Sequence, residues 1–160
     1  TQKPSSAASD VYKRQEEGLI DPHRTWQIGL RGTGYTAEDF DWARDRGFTV
    51  VQAEELWHRS ATPLIEKARA ALGDGPVYLS FDIDSLDPGF APGTGTPEIG
   101  GLTPIQALEI IRGCRGLNLV GADLVEVSPP YDPQGNTALL AANLLYEMLC
   151  VLPGVSYRDK

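Results

Sequence analysis

The stretch "PVYLSFDIDSLDPGF", residues 76–90, decides how the rest of the chain is read. An apolar run, Val77, Tyr78 and Leu79, leads into Asp82, Asp84 and Asp87. Such a run bounded by turn residues reads as a β-strand, and apolar neighbours on both sides predict a strand covered on both faces. The strand would end in carboxylates. If it continues through Asp84, alternation points Asp82 and Asp84 to one side. Two carboxylates so placed do not both ionise cheaply unless a cation lies between them.

Outward from this stretch the pattern alternates. "TWQIGLRG" and "FTVVQAEEL" read as strands before it, and "LNLVGADLVEV" as one after it. Between them lie "TAEDFDWARDRG", starting at Thr36 with Asp39 in a capping-box position, and "TPLIEKARAALGDG", with Thr62 as N-cap and Pro63 at the first helical position. "TPIQALEIIRGCRG" repeats the pattern, with Thr103 and Gln106 paired as a capping box. The last helix, "NTALLAANLLYEMLCVLPG", is apolar nearly all round and is expected to be heavily buried. Strands alternating with helices predict right-handed crossovers and a parallel sheet. In such sheets ligands bind beyond the carboxyl ends of the strands. Asp82 ends the third strand and Glu126 lies at the end of the fourth.

Each of these two strands is followed by a glycine- and proline-rich loop. The first, residues 85–101, holds three prolines and five glycines. Loops this long without regular structure are usually functional. Asp87, with Pro88, reads as a loop-shaping residue, Asp132 as a turn residue, and His23 and His58 as structural or solvated.

With 14 basic and 22 acidic residues the net charge is −8, which argues against a nucleic-acid partner. Cys114 and Cys150 form no metal pair and no disulfide framework, so they read as reduced, and the expected location is cytoplasmic. No run approaches transmembrane length, so no membrane partner is expected. Residues 1–15, "TQKPSSAASDVYKRQ", show no clear period and read as a disordered or foreign leader. Residues 16–160 then form one domain unit.

For the Asp-x-Asp pair, three readings are open from residues alone. Oxygen donors suit hard ions such as Mn²⁺ or Mg²⁺. The pair could instead be nucleophile and acid/base of a haloacid-dehalogenase phosphatase, with Asp123 and Glu126 as its second acidic pair, although the only lysine beyond Asp84 is Lys160. Or the aspartates only cap loop amides, with Asp87-Pro88 a simple turn; for the chain as a whole, a non-catalytic module that only assembles with a partner chain also stays open. An EF-hand does not fit, because Leu86 and Asp87 stand where an oxygen ligand and glycine are needed.

"SFDIDSLDPGFAPGTGTPEIGGLT" resembles the second metal-binding signature of the ureohydrolases, the arginase and agmatinase family. "LVGADLVEVSPPYDPQGNTALLAANLLYEML" resembles that family's C-terminal segment, and "QIGLRGTGY" with "DFDWARDRGF" its agmatinase branch. The resemblance runs from about Glu16 to the end. It implies a three-layer α-β-α sandwich with a mainly parallel sheet, of which residues 16–160 are the C-terminal half. It implies two Mn²⁺ ions, with Asp82 bridging both and Asp84 binding one, and Glu126 facing the substrate guanidinium. The implied reaction hydrolyses agmatine to putrescine and urea, and guanidinobutyrate or proclavaminate-like substrates stay open. A trimer or hexamer is implied for the complete protein.

The departures are as specific as the matches. Nothing like the family's earlier Asp-x-His-x-Asp cluster occurs, and there are only two histidines. Its proton-shuttling histidine would precede "EEGLIDP", where residues 1–15 match nothing in the family. Ser85 stands where the family usually has glycine. The expectation is a truncated chain without useful activity alone.

Overall fold

The computed structural model describes residues 13–32 and 41–156. Residues 13–16 make one helical turn, and residues 1–12 of the expected leader lie outside the described residues. Four strands follow: β1, Trp26–Leu30; β2, Thr49–Gln52; β3, Val77–Asp82; and β4, Leu119–Val125. Four helices accompany them: α1, Asp41–Asp45; α2, Thr62–Leu72; α3, Pro104–Gly113; and α4, Asn136–Val151. The expected start of the first helix at Thr36, with Asp39, lies outside the described residues.

The strands pair in parallel, β1 with β2 and β3 with β4, as two two-stranded sheets. This is the α/β class expected from the alternation. The β1–β2 register slips between Ile28 and Leu30. Gly29 lies at the slip with φ +93°, a conformation side chains rarely adopt.

Helices α2, α3 and α4 pack in sequence order, and α4 reaches β4. Ile65, Phe81, Ile83, Leu86, Leu102, Ile111, Leu119 and Leu144 share one buried cluster among them. The capping box forms as expected: the Gln106 N–H donates to Thr103 Oγ1 (3.3 Å), and the Thr103 N–H to Gln106 Oε1 (2.9 Å). The same buried Gln106 sends its amide nitrogen to the carbonyls of Leu56 (2.6 Å) and Arg59 (2.9 Å). It therefore fastens α3 to the segment after β2.

Three local expectations are corrected. Helix α2 is not capped by Thr62. Ala61 occupies the cap, and its N–H donates to the Glu109 carboxylate of α3, while Ser60 Oγ accepts from the Thr62 N–H (3.1 Å). An anion from a neighbouring helix satisfies the positive end as well as a local side chain would. Strand β3 is covered on one face only: Val77, Leu79 and Phe81 turn inward while Tyr78 and Ser80 are exposed. Helix α4 buries a single stripe, Thr137, Ala141, Leu144, Met148 and Val151, and leaves Leu139, Leu145, Tyr146 and Leu149 exposed. Apolar composition sets which surface can be buried; a packed neighbour decides which surface is.

Candidate active site

The register pairs Asp82 with Val125, so Asp82 and Glu126 stand side by side at the carboxyl edge of β3–β4. The strand does not continue through Asp84. At Ile83 the chain enters a short 3₁₀ turn, Ile83–Ser85, anchored by the fully buried Ile83 side chain. Asp82 Oδ1 accepts from the Asp84 N–H (3.0 Å), and Ser85 Oγ donates to the Asp82 carbonyl (2.7 Å). The turn, not strand alternation, brings the two carboxylates together.

Glu126 has φ +65°, in the left-handed region. A non-glycine residue held there carries strain on the order of 1–3 kcal/mol and persists only where its surroundings enforce it. Its charge acts on Asp82. Burial first, then the Asp84 carboxylate, push the Asp82 carboxyl up to about 7, with Glu126 adding in the same direction and the Asp84 N–H opposing. Three acids thus crowd one sheet edge, and Asp82 among them resists ionisation. Asp84 Oδ2 accepts a hydrogen bond from Thr96 Oγ1 (2.7 Å).

The loop of residues 85–101 folds back over this edge through fixed contacts. Asp87 Oδ1 accepts from the Gly89 N–H (2.8 Å), and Oδ2 from Gly100 (2.8 Å) and Gly101 (3.3 Å). These N–H groups, Gly89 first, hold the Asp87 carboxyl below the ordinary carboxylate range. The Leu102 N–H reaches the Ser85 carbonyl (2.9 Å), and the Asp87 N–H reaches the Leu102 carbonyl (3.0 Å). The Gly93 N–H donates to the buried Thr137 Oγ1 (2.8 Å), and the Gly93 carbonyl accepts from Ser128 (2.8 Å), which ties the loop to α4 and to the segment after β4. Asp87 is a loop-shaping residue, as expected. Asp132 is the turn residue expected of it, with Oδ2 accepting from the Ala138 N–H (2.9 Å) at the start of α4.

The donor chemistry of Asp82 and Asp84 fits a hard divalent ion, but their number does not complete a site. Among the described residues no group of three or more His, Cys, Asp or Glu side chains could hold a metal ion. The histidines do not supply the deficit. The His23 ring lies against Gly47, and His58, at φ +56°, borders a cavity of about 550 Å³ with Trp57 and Phe90. Asp123 is engaged by Tyr78 Oη (2.9 Å) and Ser80 Oγ (2.6 Å).

Three features escaped the sequence reading: Thr96 on Asp84, the strained backbone of Glu126, and Arg31. Arg31 follows β1 and extends to the carbonyls of Asp84 (2.6 Å), Leu86 (3.1 Å) and Glu98 (2.6 Å). Its only sequence signal was a lone cation at a strand's carboxyl end, next to Gly32.

The match to the arginase-family profile spans residues 1–150. The chain belongs to the arginase family. A guanidinobutyrase of Pseudomonas aeruginosa is 71% identical over 143 residues, 89% of this arginase-family chain and 45% of that protein. A mitochondrial agmatinase of Gallus gallus is 66% identical over 140 residues, 88% of this chain and 41% of that protein. Among solved structures, proclavaminate amidino hydrolase from Streptomyces clavuligerus superposes with a TM-score of 0.81 at 42% identity, over 87% of this chain and 46% of that one. The fold is therefore the arginase-like α/β fold, in part, since the chain spans less than half the length of these relatives. Family membership replaces the haloacid-dehalogenase phosphatase reading of Asp82, Asp84, Asp123 and Glu126.

Proposed function

We propose that this chain carries the carboxylate edge of a ureohydrolase that cleaves a guanidino compound and releases urea. The observation that supports it most directly is the convergence of Asp82, Asp84 and Glu126 at adjacent strand ends, under a loop stitched in place. A guanidinium is a planar cation, and an acidic edge of three carboxyl groups, one of them on a strained backbone, is suited to hold such a group. Glu126 takes the role of substrate anchor. Hydrolysis adds water across one C–N bond, so the amine leaves with a proton and the guanidino carbon departs as urea.

The metal reading belongs to the same proposal. Asp82 and Asp84 would be this chain's ligands to two Mn²⁺ ions, and further donors must come from elsewhere in the complete polypeptide. Alone, this chain is proposed to be inactive.

Agmatine is the first substrate reading, with putrescine as the amine product. Guanidinobutyrate is the second, favoured by the 71% identity to a guanidinobutyrase against 66% to an agmatinase. The two differ at the far end of the substrate, an ammonium against a carboxylate. Urea release from each, by the complete polypeptide carrying this sequence with Mn²⁺ added, tests both. Release abolished by Asp82→Asn and by Glu126→Gln is the expected result. Release undiminished in either variant would remove that residue from the site.

A further inference from the structure

Arg31 is a cation in an acidic molecule, yet among the described residues no carboxylate forms an ion pair with it. Its guanidinium is occupied by backbone carbonyls. Nε donates to Glu98 (3.0 Å), and Nη2 shares its hydrogens among Asp84 (2.6 Å), Leu86 (3.1 Å) and Glu98 (2.6 Å), while Nη1 lies 3.5 Å from the Gly29 carbonyl. One planar group thus joins three segments distant in sequence: the end of β1, the turn that carries Asp84, and the far end of the covering loop. The neighbouring backbone is built for this approach. Gly29 and Gly32 flank Arg31 at positive φ, and a Cβ on Gly32 would lie 3.2 Å from the Glu98 side chain.

We propose that Arg31 is a positioning residue of the active site, acting through the backbone of Asp84 and Glu98. By taking the carbonyl of Asp84 it fixes the turn and leaves the carboxylate of Asp84 free of the guanidinium, engaged by Thr96 and by the Asp82 carboxyl. A cation that bonded the carboxylate directly would compete for the group the chemistry needs. Lysine cannot substitute, because a single ammonium has no rigid fork with which to span three carbonyls in one plane. The same guanidinium spans the loop's two ends, so one side chain couples the position of the loop over the edge to the position of Asp84. The proposal rests on the functional reading above, because it assigns Arg31 to that site.

The test uses the complete polypeptide with three variants. Arg31→Ala removes the clamp and Arg31→Lys keeps its charge. Arg69→Ala is the control: Arg69 Nη1 likewise holds the carbonyls of Gly113 (2.7 Å) and Arg115 (2.5 Å), away from the acidic edge. Melting temperature, kcat and KM for urea release are measured with amide exchange over residues 84–102. Arg31→Ala and Arg69→Ala are expected to lower the melting temperature alike. Only Arg31→Ala is expected to reduce kcat, on the order of 100-fold as misplaced catalytic groups do, with KM little changed because Glu126 is untouched. Arg31→Lys, whose ammonium can reach one carbonyl but not span three, is expected to recover part of the melting temperature but not kcat. A kcat for Arg31→Ala that falls no further than that of Arg69→Ala, or full recovery in Arg31→Lys, overturns the proposal. If the unaltered protein releases no urea from agmatine or guanidinobutyrate, the functional reading fails separately. Exchange then decides for Arg31: lost protection confined to residues 84–102 in Arg31→Ala upholds the clamp, and unchanged protection ends it.

Discussion

The loop of residues 85–101 and helix α4 invert the usual relation between regularity and fixation. The loop has almost no regular structure, yet Leu86, Ala91 and Thr94 within it are buried, and its backbone is bonded to Asp87, Leu102, Thr137 and Ser128. The helix is fully regular and strongly apolar, yet about half of its apolar side chains face outward, with Leu139 65% and Tyr146 66% exposed. Fixation here follows from partners. The loop finds them in N–H groups and carbonyls already placed by β1, β3 and α4, whereas the outer face of α4 has no apolar neighbour among the described residues.

The sharpest way to break this contrast is at Gly101. A Cβ there would lie 2.4 Å from the Asp87 nitrogen and 2.6 Å from the Leu86 carbonyl carbon, both backbone. Gly101→Ala is expected to lose about 3 kcal/mol or more in denaturant unfolding. Gly95→Ala in the same loop meets nothing within 4 Å and is expected to leave the midpoint in place. Equal effects at the two positions would show that the loop is not fixed at its far end.

The acidic edge responds next. The Asp82 carboxyl is raised when folded, so between its ordinary value near 3.8 and about 7 the folded chain binds more protons than the unfolded one. Stability without metal is then expected to fall as pH rises through that window. The loss is on the order of 2 kcal/mol once solvent screening of this half-buried group is allowed for. Asp82→Asn should flatten the profile, and a profile as steep in Asp82→Asn as in the unaltered chain would refute the assignment.

A smaller effect, of opposite sign, is expected at Glu126. Glu126→Gly relieves the left-handed strain at some cost in chain entropy, for a net gain of roughly 1 kcal/mol. Glu126→Gln keeps the strain and should not gain. Last, Leu149→Ser on the open face of α4 is expected to change stability by less than about 0.5 kcal/mol while lowering self-association in sedimentation. A large loss of stability there would mean that the face is covered after all.

Much of this was legible in the residues. Asp82 and Glu126 could be placed at neighbouring strand ends because parallel β-α order dictates where carboxyl ends lie. The Thr103–Gln106 capping box is local, and local chemistry reads directly. What was not legible is non-local. Glu109 caps α2 across 48 positions, and Arg31 reaches Asp84 across 53. The open faces of β3 and α4 depend on neighbours that neither segment encodes. Asp84 joins Asp82 through a tight turn, because Ile83 is drawn into the core and the strand ends at Asp82.

This chain is proposed to contribute carboxylates to a metal site that further donors complete. Calorimetric titration with Mn²⁺, of this chain and of the complete polypeptide, tests it most directly. Weak binding is expected for the chain alone, on the order of millimolar as for sites with few charged ligands, and Asp82→Asn removes it. Far tighter binding is expected for the complete polypeptide, weakened by the same substitution. Tight binding by the chain alone, or binding that survives Asp82→Asn in both, would contradict it.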